Sequence, residues 1–195
     1  MASNNPGKVR EFQEALRPLG FRVISMREAG FEGDLEEGDD YRENALGKAR
    51  AVCRAAGLPA LADDSGLEVD ALGGRPGAAS QRYLGPEATP ADRNRDILRR
   101  LESVPQEKRG ARFRCLLALC FPDGREVVVE ETCQGSVALA PSGEGGFGYD
   151  PIFLLPDGRM MAELTPEEKN QVSHRGKAIR SLLAALRSEI GRIAQ

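Results

Sequence analysis

From Asp39 to Ala56 apolar residues recur at helical spacing (Tyr41, Ala45, Ala49, Val52, Cys53, Ala56), Gly57 stops the pattern, and Pro59 to Ala62 already reads as a short buried strand. A change from a 3.6-residue to an extended pattern over so few positions requires a helix and a strand that follow each other directly. The same alternation recurs along the chain. Pro6, suited to a first helical turn, precedes a stripe of Val9, Phe12, Ala15, Leu16 and Leu19, and Phe21 to Ser25 follows as a predicted short strand. Thr89-Pro90-Ala91-Asp92 supplies the cap, proline and acidic third position of another helix, with Ile97, Leu98, Leu101 and Val104 as its apolar stripe. Ala111 to Phe121 and Arg125 to Glu131 are β-rich runs joined by Pro122-Asp123-Gly124, a hairpin signal, and a further strand is predicted across Gly135 to Leu139. A last helix is predicted from about Arg175 to Ile190, with Ile179, Leu182, Leu183, Leu186 and Ile190 on its buried side. No internal repeat is visible, and the whole reads as α/β with a mixed sheet.

The 195 residues fit one domain, or one domain built as two lobes around a cleft, with ample length for a core. A net charge of -3 offers no reason to expect duplex nucleic acid or an anionic membrane as partner. The apolar run Cys115 to Phe121 is too short to span a bilayer and no signal-peptide pattern opens the chain, so the cytoplasm is the expected compartment. Cys53, Cys115, Cys120 and Cys133 lack zinc-ligand spacing and a neighbouring histidine; they read as small buried apolar residues rather than as partners of the lone His174 in nucleophilic catalysis.

Three groups of residues could carry chemistry. The first is the polar turn Ser3-Asn4-Asn5-Pro6-Gly7-Lys8 at a helix start, where unpaired backbone N–H groups, a hydroxyl, two amides and an ammonium could cradle a polyphosphate. On its own it could equally be a helix cap beside a solvated lysine. It is not a Walker P-loop, because the glycine frame is missing. The second is acidic. Glu28 to Asp40 reads as a loop with seven acidic residues and no basic one, including Glu36-Glu37, and Asp63-Asp64 is predicted at a strand end before Ser65-Gly66. Converging carboxylates need a cation, and magnesium, which takes carboxylate oxygens and bridges to phosphates, is the natural one. Asp64-Ser65-Gly66 also matches an aspartic-protease triplet, but that chemistry needs two such aspartates and the chain has one triplet.

The third group lies in the last third of the chain: Gly145 to Asp150, then Lys169, then Ser173-His174-Arg175. Glycines admit a planar ligand to the backbone, Phe147 or Tyr149 can stack on it, and Asp150 can accept from ring N–H groups, which suits a nucleobase. Each signal alone has a plain structural reading. A phosphate cradle, a carboxylate metal site and a base pocket together fit a nucleotide.

These segments resemble the inosine triphosphate pyrophosphatase family over nearly the whole chain. The resemblance is carried by Ser-Asn-Asn-Pro-Gly-Lys at 3 to 8, Glu-Glu-Gly-Asp-Asp-Tyr-Arg-Glu-Asn-Ala at 36 to 45, Ala-Asp-Asp-Ser-Gly-Leu at 62 to 67, Gly-Phe-Gly-Tyr-Asp-Pro at 146 to 151 and Ser-His-Arg-Gly-Lys-Ala at 173 to 178. It implies a long curved mixed β-sheet flanked by helices, two lobes around a central cleft, a homodimer, and hydrolysis of inosine, deoxyinosine and xanthosine triphosphates to monophosphate and pyrophosphate. It further implies that Ser3, Asn4, Asn5, Pro6, Gly7 and Lys8 hold the triphosphate with Lys48 adding charge, that Glu36 and Asp64 hold Mg2+, and that Asp64 accepts the proton of the attacking water. Ser65, Phe147, Gly148, Tyr149, Asp150, Lys169, His174 and Arg175 would contact substrate, the last two near the base, with Arg82 as a further phosphate contact. Family members usually carry a short apolar strand before the phosphate turn, where this chain has Met1-Ala2. A pyrophosphatase for other modified nucleotides and a non-catalytic nucleotide sensor are the competing readings. If β structure continues through Asp63-Asp64, alternation turns Asp63 away from Asp64 and gives it a structural part.

Overall fold

The computed structural model describes residues 1–33, 35 and 38–193, with the side chains of Leu19 and of 188–193 outside the description. The order is α1 (Pro6–Leu16), α2 (Tyr41–Ala56), β1 (Ala60–Val69), β2 (Arg75–Pro76), α3 (Pro90–Arg100), β3 (Gly110–Cys120), β4 (Glu126–Val137), β5 (Phe153–Leu154), α4 (Pro166–Val172) and α5 (His174–Ile193), with short 3-10 turns between. The five strands form one sheet in the order β2-β1-β3-β4-β5, and the pairs β1–β2 and β4–β5 are antiparallel. This is the α/β class expected. No described helix is long and apolar enough to cross a membrane.

The chain divides into two compact units, Met1–Asp64 with Cys115–Glu131 and Arg175–Gln195, and Ser65–Arg114 with Thr132–His174. β1, β3 and β4 each give residues to both. The first unit packs Phe12 and Leu16 of α1, Leu61 of β1, Cys115 and Leu117 of β3, and Ile179 and Leu182 of α5 into one core. The second packs Leu67 and Val69, Ile97 and Leu101, Phe113, Val137 and Phe153. Burial of each such Leu, Ile or Phe side chain contributes roughly 1.5–3 kcal/mol. All four cysteines are free and buried, as their spacing suggested.

Local chemistry accounts for the helix ends. The Asp40 carboxylate accepts from the backbone N–H groups of Arg42 and Glu43 at the start of α2, and Gly57 closes it in the left-handed conformation, φ 64°. Thr89 and Asp92 form the reciprocal capping box of α3. Thr165-Pro166-Glu167-Glu168 makes the same box for α4, a helix the sequence reading did not assign.

Three expected elements differ. Phe21 to Ser25 is not a strand: its described backbone contacts are scattered single bonds, such as Phe21 N–H to Leu16 C=O, and Phe21 is exposed. Of the strand expected at Gly135 to Leu139, residues 135–137 are the far end of β4, which runs unbroken from Glu126, and Ala138 and Leu139 lie beyond it. The acids at 63 and 64 lie inside β1, not at its end. The Ile190 side chain expected on the buried side of α5 falls outside the described residues.

The C-terminus of α3 is closed by a distant side chain. Buried Arg109 donates to the carbonyls of Leu101 (2.6 Å), Val104 (2.8 Å) and Ala138 (2.9 Å). Replacing it by Met removes charge-assisted bonds from buried carbonyls, so Arg109→Met is expected to lower stability by roughly 3 kcal/mol or more, read as a lower urea midpoint at unchanged slope.

Candidate active site

In the first unit the site begins at the turn before α1. The Asn5 side chain accepts from the N–H groups of Gly7 (3.0 Å) and Lys8 (3.2 Å), and the Ser3 hydroxyl accepts from the N–H of Asn5 (3.1 Å). Asn4 accepts from the backbone N–H of Arg27. Pro6 opens α1 as predicted. The turn expected to cradle phosphate is therefore built, with these amides turned onto its own side chains. The backbone on its N-terminal side is tied down by the Ala2 N–H, which donates to Leu61 C=O in β1 at 2.7 Å.

Lys8 extends from the first turn of α1 to Asp63, with its ammonium 2.8 Å from the carboxylate and 3.0 Å from the backbone carbonyl. Arg175, at the start of α5, donates to the same carboxylate at 2.6 Å and also meets Glu11 of α1. The Cys115 thiol lies 3.8 Å away. Burial alone would push the Asp63 carboxyl up, but the Arg175 guanidinium and the Lys8 ammonium hold it well below the usual carboxylate range. Asp63 is thus a permanent anion. Arg175, expected near the base, has its guanidinium committed to Asp63 and Glu11, in the unit that carries residues 3–8.

Strand alternation gives Asp64 a different set of partners. Lys48 of α2 lies 2.7 Å from Oδ1, and the Asn44 amide donates to Oδ2 at 3.0 Å. Asn44 also bonds both backbone groups of Gly38, at 2.7 Å and 3.0 Å. That clasp fastens the residue directly after Glu36-Glu37 to the helix beside Asp64. Glu36, the expected second magnesium ligand, lies outside the described residues. Burial raises the Asp64 carboxyl, and Lys48 and Asn44 pull it back only in part. The sequence reading missed Asn44. Its signal was its spacing, one turn before Lys48 on the buried side of α2.

Among the described residues no three His, Cys, Asp or Glu side chains gather into a metal cage. Magnesium does not need one, since it commonly binds through one or two carboxylates, retained waters and substrate phosphates. The oxygens of Asp64, buried yet held by neutral and cationic donors, suit that mode.

In the second unit Ser65 continues β1, half-buried. The segment 146–150 is folded around Asp150, whose Oδ2 accepts from the Phe147 N–H (2.7 Å) and from the Lys169 ammonium (2.7 Å). That ammonium also lies 4.6 Å from the centre of the Phe147 ring. A side chain at Gly146 would collide with the Asp150 carboxylate, so only glycine allows this wrap. Gly148 follows in the left-handed conformation, φ 64°. The Tyr149 hydroxyl donates to Ser80 C=O at 2.8 Å, and burial raises its ionisation well above normal. His174 is buried with its ring stacked on Phe113, centroids 4.7 Å apart. Arg82, expected as a phosphate contact, lies half-buried in the turn after Ser80, in this unit and not in the one that carries residues 3–8. The Cys120 thiol, pushed up to about 11 by burial and Glu126, is no thiolate nucleophile.

A model of the Ham1 family matches residues 1–185. The chain belongs to the Ham1 family. It is similar to the dITP/XTP pyrophosphatase of Thermus thermophilus, 50% identical over 186 residues that cover 95% of this chain and 89% of the relative. It is likewise similar to the dITP/XTP pyrophosphatase of Geobacillus kaustophilus, 51% identical over 184 residues, covering 93% and 90%. The structure of a HAM1 protein from Coxiella burnetii superposes with a TM-score of 0.84 at 42% identity, covering 95% of this chain and 96% of that one. The family resemblance drawn from the five sequence segments therefore holds.

The ion-pair geometry gives a direct test. Asp63→Asn leaves Lys8 and Arg175 buried without their shared anion and is expected to cost about 3–5 kcal/mol in chemical denaturation. Asp64→Asn, which retains one acceptor oxygen for Lys48 or Asn44, should cost distinctly less in the same measurement.

Proposed function

We propose that this protein hydrolyses non-standard purine nucleoside triphosphates, the 6-oxo compounds dITP, ITP and XTP, to the monophosphate and pyrophosphate, and so cleanses the nucleotide pool. The observation that carries the reading is the Asp64 carboxylate: buried, raised in proton affinity, and gripped by Lys48 and Asn44. Membership of a family whose similar relatives bear the name dITP/XTP pyrophosphatase supports the choice of substrate.

The mechanism follows from these side chains. Burial raises the proton affinity of Asp64 and so makes it a stronger base than an exposed aspartate, while Lys48 and Asn44 favour its ionised form. Asp64 takes a proton from water as the water oxygen bonds to the α-phosphorus. The bond from that phosphorus to the bridging oxygen breaks, and pyrophosphate carries the electron pair away. Ser3 to Lys8 and Lys48 orient the triphosphate and face its developing charge. A hydrogen-bond donor at O6 favours hypoxanthine and xanthine over adenine; the segment 147–150, Lys169 and His174 are the base-side residues, with Ser65 and Arg82 as further substrate contacts. Magnesium, held by Asp64 and Glu36, would supply charge neutralisation of the phosphate oxygens. The protein acts in the cytoplasm, where the pool is, as a homodimer.

Two measurements test this. With dITP, ITP, XTP, dATP, dGTP and a pyrimidine triphosphate as substrates, pyrophosphate is expected from the 6-oxo purines; release of free phosphate alone would defeat the reading. Asp64→Asn should lower kcat by about 10²–10⁴-fold with circular dichroism unchanged, and chelation of magnesium should abolish turnover of the wild type until the metal is restored.

A further inference from the structure

The segment 146–150 is held from outside by a residue with no part in the reading above. Asn94 lies on α3 and is 8% exposed. Its Nδ2 donates to the carbonyl of Gly148 at 3.0 Å, while its Oδ1 is buried with no hydrogen-bond partner among the described residues. A buried acceptor left unpaired is costly, and an apolar side chain at this point of α3 would avoid the cost. The helix itself gains nothing from an amide there, since asparagine is a poor residue for a helix interior. What the side chain does supply is one directed bond to Gly148, a residue whose left-handed backbone sets where its carbonyl points.

The neighbours of Asn94 extend the same grip. Arg93 donates through Nε to Tyr83 C=O at 2.8 Å, and Asp96 accepts from the Tyr83 hydroxyl at 2.6 Å. The Tyr149 hydroxyl in turn reaches Ser80 C=O. α3 therefore bonds to two segments, 80–85 through Arg93 and Asp96 and 146–150 through Asn94, and the Tyr149–Ser80 bond ties the two segments to each other. The first of these contains Leu84 with φ 66°, the non-glycine residue among those described that adopts the left-handed conformation, so that turn is fixed at some cost. Within this frame Asn94 is the element that bears on the backbone between Phe147 and Tyr149.

We infer that Asn94 is a positioning residue that determines purine specificity: through Gly148 it sets the orientation of the 147–150 backbone against the base. This rests on the proposed function, because it takes that segment as the base side of the site. Losing the bond removes the restraint on the Gly148 carbonyl and lets the backbone between Phe147 and Tyr149 turn against the purine while Lys169 still holds Asp150, and it leaves the bonds of Asp64 and Lys48 in place.

The test compares the wild type with Asn94→Asp, which keeps the shape but replaces the donor by an acceptor, and with Asn94→Ala. Steady-state kinetics on dITP and dATP are read together with thermal melting. Both variants are expected to raise KM for dITP by about tenfold at nearly unchanged kcat, the signature of lost ground-state binding. They should also reduce the preference for dITP over dATP in kcat/KM by a similar factor. Partial unfolding lowers apparent kcat but leaves KM alone, so an unchanged KM with reduced kcat overturns the inference. Failure of both variants to fold overturns it too, by making Asn94 a fold determinant. Wild type that releases no pyrophosphate from dITP defeats the proposed function itself; an active wild type with kinetically silent variants defeats this inference alone.

Discussion

The Asp63 side chain has no exposed surface, and both Lys8 and Arg175 end on it. Those cations come from the first turn of α1 and the first turn of α5, so one carboxylate of β1 fixes where two helices begin. The turn at residues 3–8 inherits its position from this contact, as does Glu11 through Arg175. Such an arrangement adds little net stability, because taking three charges out of water costs several kcal/mol per ion before their attraction offsets it. A placement of α1 or α5 that withdrew Lys8 or Arg175 would leave the Asp63 charge buried and under-compensated, which disfavours it.

Asp64, next in the strand, faces partners of a different kind. Lys48 and Asn44 are one helical turn apart on α2, which is why both can reach one carboxylate. At Asp64 the pull of Lys48, Asn44 and, more weakly, Lys8 does not outweigh burial, whereas Arg175 and Lys8, both bonded to the carboxylate, do so at Asp63. What separates a fixed counterion from a group of raised proton affinity is that two cations bond directly to Asp63 and one, Lys48, bonds directly to Asp64. Asn44 adds a mechanical link, since the same amide fastens the backbone of Gly38.

Much of this was legible in the sequence where a local rule decides the outcome. α2 and its Gly57 stop, the α3 capping box and the β3–β4 hairpin each depend on residues within a few positions. The α4 box was equally legible in Thr165 to Glu168 and was overlooked. Phe21 to Ser25 has β-type composition, but composition does not supply a neighbouring ladder, and none forms among the described residues. The continuity of β4 across 132–134 was not read from the sequence, where two runs were expected; a side chain at Gly135 would strike Leu154 C=O and the Phe153 ring, so the glycine there admits β5. Long-range partners were the least visible. Nothing near Arg175 announces Asp63, 112 positions away, and nothing near Arg109 announces the carbonyl of Ala138.

The unbroken course of β1 through both aspartates has a consequence for how the chain tolerates change. The two carboxylates are chemically identical, and parity along the strand alone decides which meets Lys8 and Arg175 and which meets Lys48 and Asn44. Loss or gain of a single residue between Ala60 and Asp63 would keep every functional group in the chain yet exchange the sides on which they emerge. Substitutions in this stretch can be absorbed by repacking, but its length is an all-or-none variable: the site reads the count of residues, odd or even, before it reads their identity.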